Sequence, residues 1–132
     1  LVRKRSRVQI SVLAHLLKTK SHWMLIEVLK SKIHRIKVTD GNLDYIGSLT
    51  LDLDLMEKVG LVHGEKIQVL NVNNGERLET YLIEGERGKG EVIVNGPATY
   101  KVKKGDIIII NSYAQIEFEL ASKFQPKLLI FD

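Results

Sequence analysis

The sequence predicts a mainly β fold, a compact barrel of short strands. Three observations carry this: short apolar runs that alternate with polar residues, turn-forming residues between them, and room for only one short helix. The 132 residues fit one compact domain. At 44% apolar and 27% charged, the composition is that of an ordinary soluble chain, without internal repeats.

Ile33, Ile36 and Val38 form the first apolar run, ended by Asp40-Gly41-Asn42. Leu49 and Leu51 alternate with polar neighbours as a second strand. Asp54 and Glu57 have capping-box spacing for a short helix, and Gly60 is placed to end it. Ile67 and Val69 flank Gln68 in the next strand. Asn73-Asn74-Gly75 then signals a turn. On the strand that follows, Leu78, Thr80 and Leu82 share one face, while Arg77, Glu79, Tyr81 and Ile83 share the other. The three glycines between Gly85 and Gly90 predict a mobile or tightly turned loop. Val92–Val94 ends at Asn95-Gly96-Pro97, and Lys104-Gly105-Asp106 precedes the strand Ile107–Ile110. Phe124, Leu128, Leu129 and Ile130 supply apolar surface for docking the tail.

The net charge of +4 is unevenly distributed. Residues 1–23 hold Arg3, Lys4, Arg5, Arg7, Lys18 and Lys20 and no acid, whereas the remainder is net acidic by two charges. Met24 is a candidate translation start. Residues 1–23 are therefore expected to be an added or otherwise non-core leader, a native extension, or a basic binding arm. Val8–Leu17 could form a short helix or strand within it. A nucleic-acid partner would have to rest on this arm alone, and with 6% aromatics and no basic-aromatic stripe none is expected. The chain has no cysteine, which excludes disulfides, thiolate nucleophiles and cysteine-bound metals. No metal motif is present. The longest apolar stretch, Ile107–Ile110, is too short to span a bilayer, and no secretory signal is recognisable. No membrane partner is expected, and a cytoplasmic location is the default.

The candidate chemistry begins at Gly47-Ser48, a pair that alone reads as a turn. Lys32 and His34 share a strand face if that region is extended, Tyr45 lies just before the pair, and Arg77 and Tyr81 share a later face beside Thr80. Asn95-Gly96 closes a strand where backbone N–H groups become available. Together these groups can surround a small dianionic amino acid.

Over residues 24–132 the sequence resembles the pyruvoyl-dependent aspartate 1-decarboxylase family. The matching strings are Lys32-Ile33-His34-Arg35, Tyr45-Ile46-Gly47-Ser48, Asn73-Asn74-Gly75-Glu76-Arg77, Glu79-Thr80-Tyr81 and Val94-Asn95-Gly96. The resemblance implies a six-stranded double-psi β-barrel with short helices, assembled as a homotetramer. It implies autocatalytic cleavage between Gly47 and Ser48, with Thr80 assisting, and a covalently bound pyruvoyl cofactor derived from Ser48. That carbonyl would condense with the substrate amine and accept the electrons left when carbon dioxide departs.

The implied reaction converts L-aspartate to β-alanine for pantothenate biosynthesis. Lys32 and Arg77 would grip carboxylates, and Tyr81 would reprotonate the α-carbon. Asn95, Gly96 and Ala98 would contact substrate or cofactor, with Tyr45 and His34 in support. Some relatives use a maturation partner. One departure stands out: Pro97 replaces a small residue and contributes no N–H. Two rivals remain: a barrel that keeps these residues without processing itself, and a decarboxylase that also accepts glutamate.

Overall fold

In a computed structural model, residues 24–132 are described. The leader 1–23, with the helix or strand expected over Val8–Leu17, lies outside them. The described chain divides into two units, one of residues 24–28 with Ala114–Gln125, the other of Leu29–Tyr113 with Pro126–Asp132.

The strands are β1 (Leu25–Lys37), β2 (Asp40–Asn42), β3 (Ser48–Asp52), β4 (Lys66–Asn71), β5 (Arg77–Gly85), β6 (Val92–Asn95), β7 (Ile107–Glu117) and β8 (Lys127–Ile130). Helix α1 (Leu53–Val59) follows β3, a 3-10 turn (Gly96–Tyr100) follows β6, and the one-turn helix α2 (Phe118–Ala121) follows β7. The sheet order is β2-β6-β3-β5-β4-β7-β1-β8. The outermost strands, β2 and β8, are three and four residues long, leaving six strands between them, the expected number. The pairs β1–β8, β2–β6 and β3–β5 are parallel, whereas β3–β6, β4–β5 and β4–β7 are antiparallel. Parallel neighbours cannot be joined by a tight hairpin, so the chain must cross over to make them.

Within the larger unit, alternate side chains build the core. Leu49 and Leu51 of β3, Ile67 and Val69 of β4, Val92 and Val94 of β6, and Ile108 and Ile110 of β7 are all buried. On β5 the expected faces hold: Leu82 is buried and Leu78 and Thr80 half-buried, while Arg77, Glu79 and Tyr81 are exposed. The tail docks through β8, where Leu129 packs on the core and Leu128 and Ile130 stay exposed.

β1 breaks its alternation once. Ile33 and Ile36, three residues apart, are both buried. Arg35 between them has φ +69°, unusual for a residue with a Cβ, and this local kink brings both isoleucines inward.

The helix cap corrects the expectation from Asp54 and Glu57. Asp52 is the N-cap, its carboxylate accepting from the Asp54 amide at 2.8 Å. Gly60 ends the helix in the left-handed conformation, as expected. Asp54 and Glu57 instead receive the Arg87 guanidinium, at 2.5 Å and 2.8 Å. The glycine-rich loop takes the tightly turned alternative. The Gly88 and Gly90 amides donate to Asp52 at 3.1 Å and 2.6 Å. Asp52 thus ties the end of β3 to the segment that opens β6.

These contacts set the charge of Asp52. The Gly90 amide does most to hold its carboxyl below its ordinary value, burial opposes this, and the Gly88 and Asp54 amides and the Arg87 charge add to the lowering. A folded-state value below the unfolded one gives stability that is complete above about pH 3.9 and is lost as pH falls through the folded value. Asp52→Asn removes the charge and turns one acceptor into a donor. It is expected to lower stability by roughly 1.5–3 kcal/mol at neutral pH. In urea unfolding, the gap from wild type should narrow as pH drops below about 4. A gap of constant size would show that the charge is not what binds this loop.

Candidate active site

Gly47 and Ser48 stand where a loop enters β3, and Ser48 is placed by strand pairing. Ser48 lies opposite Asn95 in the β3–β6 register. The Asn95 side-chain amide donates to Ser48 Oγ at 3.1 Å and to Thr50 Oγ1 at 2.9 Å. Ser48 Oγ in turn donates to the Ile46 carbonyl at 3.4 Å. Both Ser48 and Asn95 are buried. The hydroxyl is therefore held by a donor on one side and a proton acceptor on the other, one residue from the Gly47 carbonyl.

Gly96 allows this approach. Its φ is +67°, and a Cβ built there would lie 2.7 Å from Gly47 Cα, 3.0 Å from Gly47 N and 3.1 Å from the Tyr45 carbonyl oxygen. Contacts that short cannot be accommodated without moving backbone, so only glycine fits between the loop and β6. The neighbouring Pro97 is in the first turn of the 3-10 segment, a position where a missing N–H costs nothing, and its ring faces Gly47.

The resulting cavity, about 310 Å³, is lined by Gly47, Ser48, Thr80, Asn95, Pro97 and Ala98, with Leu78, Glu79 and Lys101 completing its wall. Five residues expected at the site thus meet: Gly47, Ser48, Thr80, Asn95 and Ala98. A small amino acid fits such a volume. The lining also suits a carbonyl group grown from Ser48 itself, because the side chain is small, buried and already polar on both sides.

The other expected residues lie elsewhere. Lys32 and His34 share a face of β1, as expected, and line a second cavity of about 210 Å³ with Leu128 and Ile130, their register partners on β8. His34 Nδ1 is buried without a hydrogen-bond partner among the described residues. Arg77, Tyr81 and Tyr45 are exposed and line neither cavity. Arg77 pairs in register with Leu70, and Tyr81 with Lys66. Lys101 and Glu79 were not expected near Ser48. No periodicity marks them, because they reach the cavity through the proximity of the 3-10 turn and β5.

A pair of variants isolates the close approach at Gly96. Gly75 also has positive φ, +75°, but nothing lies within 4 Å of a Cβ there. Gly75→Ala should cost about 1–2 kcal/mol for the left-handed backbone. Gly96→Ala should cost about 1–3 kcal/mol beyond that for overpacking. Urea unfolding of both variants measures the difference, and equal losses would rule out the steric role given to Gly96.

The family model for aspartate decarboxylase matches residues 24–132. The chain is similar to proteins named aspartate 1-decarboxylase. That of Christiangramia forsetii is 57% identical over 109 residues, covering 83% of this chain and 94% of that protein. That of Parabacteroides distasonis is 54% identical with the same coverage. Among solved structures, the rationally designed protein mkDPBB_sym_86 aligns with a TM-score of 0.46 at 21% identity, covering 63% of this chain and 91% of that one. With a family model that spans the whole described chain and relatives identical at more than half of the aligned positions, the chain belongs to the aspartate decarboxylase family.

Proposed function

We propose that this chain decarboxylates L-aspartate to β-alanine and carbon dioxide, using a pyruvoyl group made from its own Ser48 after cleavage at Gly47-Ser48. Family membership supports the reaction. The observation that carries the chemistry is the buried Ser48 hydroxyl, held between the Asn95 amide and the Ile46 carbonyl beside Gly47.

In the maturation we propose, Ser48 Oγ attacks the Gly47 carbonyl carbon and its proton leaves toward solvent or a neighbouring acceptor. The Gly47–Ser48 C–N bond breaks as the C–O bond forms, giving an ester and a free Ser48 amine. Loss of the Ser48 α-proton with the Gly47 carboxylate as leaving group leaves a dehydroalanine. Tautomerisation and hydrolysis release ammonia and leave a ketone at the new chain end. Thr80, which lines the same cavity, assists by hydrogen-bonding oxygen atoms of the migrating acyl group. Glycine at position 47 leaves the attacked carbon open.

When formed, the pyruvoyl group supplies an electron-accepting carbonyl for the substrate amine. The chain's residues then have separable tasks. Asn95 and the Gly96–Ala98 backbone contact the substrate or cofactor at the reacting end. Pro97 lacks an N–H, so hydrogen bonding to substrate along this turn falls to its neighbours. Lys32 and Arg77 bind carboxylate, Arg77 with a bidentate fork. Tyr81 returns a proton to the α-carbon, and His34 and Tyr45 support the site.

In one protomer, Lys32 and His34 line a cavity different from that of Ser48. A homotetramer, with its site at the boundary between protomers, would bring both cavities to one substrate. Residues 24–132 form the catalytic domain in this reading. The location would be cytoplasmic, the product would feed pantothenate biosynthesis, and a maturation partner would act before the first turnover where one is required.

Intact-mass analysis with a carbonyl-trapping amine tests maturation. Two fragments divided after Gly47 are expected, the larger labelled at its first residue, whereas Ser48→Ala should remain one unlabelled chain. Tyr81→Phe should still cleave but release carbon dioxide at least about 100-fold more slowly, as befits loss of a proton donor. Turnover of glutamate or a neutral amino acid at the rate of aspartate would contradict the substrate assignment, and persistence of intact wild-type chain with any maturation partner supplied would contradict the cofactor.

A further inference from the structure

The Ser48 cavity has one cation on its wall that the family strings do not include. Lys101 follows the 3-10 turn, and its backbone is firmly held. Its N–H donates to the Ala98 carbonyl at 3.0 Å, and its own carbonyl accepts from the Asn71 and Asn74 side-chain amides at 3.0 Å and 2.9 Å. The side chain is less constrained. Its ammonium lies 3.4 Å from Glu76, and both side chains are about half exposed, at 52% and 47%. An ion pair this long and this wet contributes little and exchanges readily for another anion.

The cavity's one carboxylate is already engaged. Glu79 pairs with Lys66 at 3.0 Å, a shorter pair than that of Lys101, though a more exposed one. Among the described residues no other side chain of the lining is charged, since Leu78, Thr80, Asn95, Pro97 and Ala98 are neutral. Of the two wall charges, the Lys101 ammonium is thus the one held at the longer distance.

We propose that Lys101 is a specificity-determining residue that recruits a carboxylate of a dicarboxylic substrate to the Ser48 cavity, exchanging Glu76 for the ligand. The inference deepens the reading of this cavity as a substrate site and rests on it. A clamped backbone with a swinging ammonium allows the lysine to meet an incoming anion without disturbing Asn95 or Ser48, six and more residues away along the chain. The lysine selects for the acidic side chain and acts on encounter and binding, not on bond breaking.

The test uses cleaved protein, with cleavage verified by mass. Lys101→Met should raise KM for L-aspartate about three- to tenfold, the range expected for a half-exposed charged hydrogen bond, with kcat within about twofold. Lys101→Arg should restore most of the loss. Added salt should weaken wild-type kcat/KM more than that of Lys101→Met. Calorimetry with succinate, a dicarboxylate lacking the amine, should show the same three- to tenfold weakening of Kd in Lys101→Met. An unchanged KM and succinate Kd, or a fall in kcat alone, would overturn the role given to Lys101. If the wild type leaves aspartate intact, the functional reading fails, and the succinate titration still decides whether Lys101 draws a dicarboxylate to this cavity.

Discussion

The antiparallel pairing of β3 with β6 is the constraint from which the site follows. It places Ser48 opposite Asn95, so one amide reaches both Ser48 and Thr50 across the sheet. A slip of one residue would turn Ser48 to the other face and take the hydroxyl from its partner. The pairing is secured at both ends. At one end Gly96 lies against Gly47 with no room for a Cβ. At the other Asp52 gathers the Gly88 and Gly90 amides that lead into β6. A buried carboxylate with three amide donors is a stiff junction, because leaving that buried charge unpaired is costly.

The strands were readable because their burial alternates. Leu49 and Leu51, Ile67 and Val69, and the two faces of β5 follow from period two alone. The helix was readable as an element, but its cap was not. Asp54 and Glu57 have the spacing of a capping pair, yet Arg87, thirty and more residues away, engages both. Local spacing cannot foresee a cation delivered by a distant loop, so Asp52 took the capping role. The three glycines at 85–90 indicated a loop without indicating what holds it.

The site was legible in part for the same reason. Gly47, Ser48, Thr80, Asn95 and Ala98 were identified as a set through their resemblance to a family, and they line one cavity. Nothing in their spacing alone joins them, since they come from a loop, three strands and a turn. Lys101 and Glu79 gave no signal because a cavity wall depends on the gap between β5 and the 3-10 turn, which sequence periodicity does not encode. Lys32 and His34 are in phase with each other, as two-residue spacing requires, but that phase carries no information about which cavity they enter.

The left-handed residue in β1 has a consequence for what this strand tolerates. Arg35 acts as a phase shifter: residues before it and after it point inward on different parities, so Ile33 and Ile36 both reach the core. Lys32 and His34 keep their outward aim only because the correction comes immediately after them. A β-branched residue at 35 resists positive φ, and straightening the kink would set the residues on either side of it against each other, Ile36 beyond it or Ile33 before it. The strand can satisfy both its oily and its polar obligations only by bending at that one place.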